Sequence, residues 1–181
     1  IHAEDALPID MMLDNDPMFG SDVWEPHATA KAWTVPAGDG IKNVYVKFRD
    51  VLRNESPGVS DSVILDTTPP NSPSVNINGG STYTSNAIVT LALSASDFYL
   101  SAVRIANSAD FAGSSWQPFA SVTNWILGAG DGTKTVYAQF RDAAGNVSGV
   151  AQDTIVLDTA RPAVFSATAA PDPARAGAVT A

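Results

Sequence analysis

The chain has 181 residues, no cysteine and a formal net charge of −9, from ten basic and nineteen acidic side chains. Without cysteine there is no disulfide, thiolate metal site or cysteine nucleophile, and ten scattered cations do not make the basic patch that a nucleic-acid backbone requires. No apolar run approaches the roughly 20 residues of a membrane-spanning helix.

No signal peptide is visible in Ile1-His2-Ala3-Glu4-Asp5, so an export signal is expected to have been removed or to lie beyond this stretch. Segments rich in Val, Thr, Ile and aromatics, broken at short intervals by Gly, Asn, Asp or Pro, predict an all-β chain with no helix. Early in the chain, Val44, Val46 and Phe48 alternate with Tyr45, Lys47 and Arg49, one set inward and the other outward. Further strands are predicted over 74–78, 87–95, 102–106, 123–127, 133–142 and 152–158. Turns are predicted at Asn78-Gly79-Gly80, Gly128-Ala129-Gly130-Asp131-Gly132 and Ala143-Ala144-Gly145-Asn146. In 133–142 the inward set is Val136, Ala138 and Phe140.

The sequence also repeats. Residues 24–70 lie without a gap on residues 116–162, 92 positions later, and 21 of the 47 residues are identical. Trp24/Trp116, Trp33/Trp125, Gly38-Asp39-Gly40/Gly130-Asp131-Gly132, Phe48-Arg49-Asp50/Phe140-Arg141-Asp142 and Asn54/Asn146 all recur. A period of this length suits a small sandwich, and tandem copies of one module point to a spacer, stalk or fibre. Phe140-Arg141-Asp142-Ala143-Ala144-Gly145-Asn146 and Leu65-Asp66-Thr67-Thr68-Pro69-Pro70 resemble the Ig-like repeats of bacterial extracellular proteins. The resemblance implies tandem immunoglobulin-like β-sandwiches on a cell surface or in a secreted protein. The first copy departs from the pattern where Arg53 replaces the turn glycine, so a differently shaped hairpin is expected there.

The predicted organisation is an incomplete repeat over 1–67 lacking its first strand and most of its second, a full repeat over 68–160, and the opening strand or strands of another over 161–181. A sandwich short of those strands would leave core side chains and a long sheet edge in water. It is therefore expected to be finished by borrowed β-structure, from the 161–181 segment of a neighbouring copy or from adjacent repeats of a longer chain, which would propagate head to tail.

In such a sandwich the linker and the turn before the penultimate strand lie at one end, and the last hairpin at the other. This topology should bring Asp66 and Asp39 of the first copy towards Asp97, Asp142 and Asn146 of the second, an all-oxygen set that suits calcium. Giant bacterial adhesins with similar repeats place calcium between them. The competing reading is that each Asp and Asn simply makes its own turn. Asp131 and Asp158 would form the equivalent half-site for a following unit, and Asp14-Asn15-Asp16 is a weaker, unrepeated candidate.

Trp24, Trp33, Phe48, Trp116, Trp125 and Phe140 are expected to be structural core, with sugar stacking as the alternative for the tryptophans. The two histidines, His2 and His27, do not recur, and nucleophile elbows, phosphate loops and zinc motifs are missing, so no catalysis is expected. Asn54-Glu55-Ser56 and Asn146-Val147-Ser148 match the glycosylation sequon, although the turn alone explains both asparagines. The reading is a non-catalytic structural module of an extracellular bacterial surface protein or filament; a ligand- or carbohydrate-binding adhesin module is the alternative.

Overall fold

The computed structural model describes residues 9–20 and 23–163. The expectations for 164–181 and for the first eight residues lie outside these. Among the described residues every element is a strand, in the order β1 (Ile9–Asp14), β2 (Glu25–Pro26), β3 (Gly40–Asp50), β4 (Val59–Leu65), β5 (Asn71–Ile77), β6 (Tyr83–Thr84), β7 (Ile88–Ser96), β8 (Leu100–Ala106), β9 (Gln117–Pro118), β10 (Val122–Ile126), β11 (Gly132–Asp142) and β12 (Ala151–Leu157). Among the described residues no helix is long and apolar enough to cross a membrane.

Strands β5 to β12 form a two-sheet sandwich. One sheet has the order β10-β7-β5 and the other β6-β12-β11-β8-β9. Alternation along β11 puts Val136, Ala138 and Phe140 fully inside and leaves Tyr137, Gln139 and Arg141 on the half-covered outer face. Leu91 and Leu93 of β7, Val75 and Ile77 of β5, and Ile155 and Leu157 of β12 meet them from the other strands, giving one contiguous apolar core.

Strands β1 to β4 form a single sheet, β2-β1-β3-β4. Its pairings are those of β9-β8-β11-β12 shifted by 92: Phe48 lies opposite Met11 as Phe140 lies opposite Val103, and Val46 opposite Leu13 as Ala138 opposite Ile105. The counterpart of β10, residues 30–34, is not a strand. The cause is plain from the pairing, since β10 is held by β7 and no counterpart of β7 exists among the described residues. Consequently Val44, Val46 and Phe48, on the face equivalent to the second unit's core, are only half-buried.

The β3–β4 and β11–β12 hairpins close alike. The Asp142 backbone N–H donates to the Asn146 carbonyl at 3.2 Å, and that of Asp50 to the Asn54 carbonyl at 3.1 Å. The expected distortion at Arg53 does not occur, because Arg53 takes φ 67°, in the left-handed region occupied by Gly145 at φ 102°.

Candidate functional site

The second-unit side of the junction is built on the β11 hairpin. Asp142 is 1% exposed, and its Oδ1 accepts the backbone N–H groups of Gly145 at 2.7 Å and Asn146 at 2.9 Å. The Asn146 side-chain Nδ2 donates to Asp142 Oδ2 at 2.9 Å and to the main-chain carbonyl of Asp66 at 3.0 Å. One amide thus ties the linker to the hairpin. It is also fully engaged, which leaves no free amide hydrogen at the second sequon.

The linker side is set by Asp39 in the Gly-Asp-Gly turn. Its carboxylate accepts from the Thr67 N–H at 2.9 Å, the Thr67 hydroxyl at 2.8 Å and the Thr68 hydroxyl. These donors, the Thr68 hydroxyl foremost and Thr67 next, hold the Asp39 carboxyl below the ordinary aspartate range. Asp66 Oδ1 accepts the Thr68 N–H at 3.1 Å, and Asp97 Oδ1 accepts the Tyr99 N–H at 2.7 Å.

Carboxylate oxygens of Asp66, Asp97 and Asp142 lie within 4.8 Å of one another. Among the described residues no Lys or Arg forms an ion pair with any of the three. Asp39, Leu65, Asp66, Asp97, Phe98 and Tyr99 line an open cleft of about 670 Å³ at this place. Ile64, Tyr99, Ala143 and Ala144 enclose a smaller apolar space of about 180 Å³ beside Asp66. Of the five residues predicted from the sequence, Asp66, Asp97, Asp142 and Asn146 converge, while Asp39 spends its oxygens on the linker threonines. Three hard oxygen donors facing one another suit calcium and no soft metal. Each aspartate also accepts backbone N–H groups of a turn of its own.

The residues expected in the core are distributed differently. Phe140 is fully buried, Phe48 is half-buried, and Trp125 packs partly against the core. Trp33 is 38% exposed. Trp24 and Trp116 sit on the outer sheet face under cations instead. The Arg104 and Arg141 guanidiniums lie 5.0 and 4.7 Å from the Trp116 ring centroid, and Arg49 and Lys47 lie 4.3 and 5.2 Å from that of Trp24.

Sequence reasoning missed two repeated residues that hold these aromatics. Asn15 accepts the Trp33 indole N–H, and Asn107 the Trp125 indole N–H, both at 2.9 Å. Phe19 and Phe111 take matching left-handed φ values of 52° and 54°. Both pairs stand 92 apart, so carrying the repeat register back before residue 24 would have found them. Asn15 is therefore repeated, and Asp14 and Asp16 cap the turn beside it, accepting the N–H groups of Asp16 and Met18.

No protein-family model and no curated protein matches the chain. Among solved structures, it is similar to the fibronectin(III)-like modules of Clostridium thermocellum CbhA, with TM-score 0.45 and 18% identity over 87% of this chain and 82% of that one. It is also similar to the FN1–FN3 domains of chicken CNTN1, with TM-score 0.42 and 11% identity over 83% of this chain and 56% of that one. The strand order and the two-sheet core define the class: an all-β protein of immunoglobulin-like β-sandwich architecture.

Proposed function

We propose that this chain is a non-catalytic structural module of an extracellular bacterial surface protein or filament, in which Ig-like repeats join head to tail through carboxylate-lined junctions that bind calcium. One observation carries the reading: both halves of the junction occur again at the outer ends. At the far end, Asp131 accepts the N–H and hydroxyl of Thr159 at 3.1 and 2.8 Å, and Asp158 accepts the Ala160 N–H, repeating Asp39, Thr67 and Asp66. At the near end, Asn54 donates to Asp50 through its backbone and its side chain at 2.9 and 2.7 Å, repeating Asn146 and Asp142. The linker turn and the hairpin that meet at the junction are thus each built a second time in the other repeat.

The electrostatics favour a structural role. Asp39, Asp50 and Asp110 are all more acidic than usual because local side-chain and backbone donors stabilise their charge. A general acid needs the opposite. A tryptophan already held by two guanidiniums is also a poor platform for sugar, which weighs against the carbohydrate-binding alternative.

Negative-stain electron microscopy of the native material with and without EDTA tests the proposal. Regular straight fibres that soften or fall apart in chelator are expected. Fibres indifferent to EDTA would remove calcium from the reading, and particles without any linear repeat would remove the head-to-tail assembly.

A further inference from the structure

A sheet edge invites another strand unless something blocks it, because its outer N–H and C=O groups have no ladder partner. Among the described residues, five of the six strands that end a sheet are blocked. β2 and β9 are two residues long and carry Pro26 and Pro118, β6 is also two residues long, β4 holds Asp61, and β5 holds Pro73 at a register shift. The sixth, β10, runs Val122-Thr123-Asn124-Trp125-Ile126 with neither charge nor proline.

Its free side is set by the pairing with β7. The Leu127 N–H donates to the Ala87 carbonyl at 2.8 Å and the Leu93 N–H to the Ser121 carbonyl at 2.9 Å, so residues 121, 123, 125 and 127 turn their backbone groups to β7. Those of Val122, Asn124 and Ile126 therefore face away from the sheet. At one end Asn107 Nδ2 donates to the Ile126 carbonyl from that side at 3.0 Å, which leaves the oxygen a second lone pair.

The side chains of the same three residues lie on the outer face. Val122 is 61% and Ile126 66% exposed, opposite Ala92 and Ile88 of β7, and Asn124 lies opposite Thr90. Ser94 of β7 and Ser74 and Asn76 of β5 continue this face, and all these positions are uncharged in a chain of net charge −9. Copies of such a chain repel one another least where the charge is missing. The repeat does not demand this surface. The first unit keeps Trp33 for Trp125 but has Ala30, Lys31 and Thr34 for Val122, Thr123 and Ile126, and Lys31 there is paired with Glu25.

We propose that β10 pairs antiparallel with β10 of a second copy about a two-fold axis at Asn124. In that register Asn124 faces Asn124 of the other copy and Val122 faces Ile126, so every outward N–H and C=O of these residues finds a partner and the exposed apolar side chains cover each other. Two three-stranded sheets become one of six strands. The contact is isologous and closes at two copies. It joins chains side by side, which goes beyond the head-to-tail joining proposed above and does not need the carboxylate-lined junction.

Sedimentation of the full chain in EDTA, where the junction holds no cation, tests the pairing. The wild type should pass from monomer to dimer as concentration rises. Asn124→Lys and Asn124→Asp each set like charges against each other at the axis and should associate about fivefold more weakly or less. An equimolar mixture of the two should recover dimers, since Lys then faces Asp. With no native cysteine, single cysteines report the register. Asn124→Cys should form a disulfide-linked dimer under mild oxidation, its Cα atoms being about 5.5 Å apart, whereas Val122→Cys should not, its two copies being offset by about 14 Å along the strands. Undiminished dimers in both charge variants, a mixture no more associated than its components, no preference for cross-linking at 124 over 122, or a wild type that stays monomeric throughout would each overturn the pairing and leave the head-to-tail reading untouched.

Discussion

Asn146 Nδ2 lies 3.0 Å from the carbonyl oxygen of Asp66, eighty residues upstream, and the same amide holds the buried carboxylate of Asp142. The link between the two units and the internal order of the second hairpin therefore depend on one side chain. Asn146→Ala leaves Asp142 buried with one donor fewer, which costs about 1–3 kcal/mol. Urea unfolding should show that loss, and small-angle scattering should show a wider spread of inter-unit angles. Asn54→Ala, at the exposed hairpin of the first unit, should change stability much less; equal losses at both sites would contradict the assigned role.

Asp39 and Asp50 predict how the turns respond to acid. Both carboxyls are more acidic in the fold than in the unfolded chain, Asp39 chiefly through the Thr68 hydroxyl and Asp50 chiefly through the Asn54 side chain. Ionisation then favours the folded turn. The benefit is fully present above the ordinary aspartate pKa of about 3.9 and disappears as pH falls through the lower folded value. The backbone amide resonances of Thr67 and Asn54 should titrate with midpoints below about 3.9, and Asp39→Asn should abolish the Thr67 transition. A midpoint at or above the ordinary value would contradict the hydrogen-bond assignment.

Arg53 is held at φ 67° where the second unit uses glycine. A side chain in that region costs on the order of 1–2 kcal/mol, partly offset by the greater backbone entropy that glycine loses on folding. Arg53→Gly is expected to stabilise the first unit by about 0.5–1 kcal/mol, and Gly145→Arg to destabilise the second by a similar amount. Chemical denaturation checks both signs.

The repeat register explains how much of this was legible in the sequence. Alternation along β11 named the inward residues Val136, Ala138 and Phe140, and the topology of tandem sandwiches set Asp66 of the linker towards Asp97 and Asp142. These features are local or topological, so sequence carries them. Two things escaped. Recurrence of Trp24 and Trp116 at one register points to a packing role that every copy needs, but not to which face: cations from neighbouring strands cover these rings as an apolar layer would, and cross-strand neighbours are set by pairing rather than by sequence distance. The short strands β6 and β9 escaped too, being two residues each and defined only by the longer strands they lean on.

The outer-face stacks yield a prediction that depends on comparing the two units. In the second, the cation over Phe111 and Trp116 is Arg104 on β8, whose Nε donates to its cross-strand partner Gln139 at 3.0 Å. In the first, the cation over Phe19 and Trp24 is Lys47 on β3, opposite Met12. The charge has changed strands between repeats while the aromatics have stayed, so the stack needs a cation at either position of the pair. Lys47→Gln alone should destabilise the first unit by about 1 kcal/mol through lost cation–π contacts, together with the ion pair from Lys47 to Glu55. Adding Met12→Arg rebuilds the second unit's arrangement and should recover most of the loss, although Met12→Arg alone crowds a second cation beside Lys47 at a buried site. A double-mutant cycle should therefore give a favourable coupling of about 1 kcal/mol between positions 12 and 47. Additive effects would mean that the change of strand has no electrostatic meaning, the Arg49 guanidinium over Trp24 being untouched by either substitution.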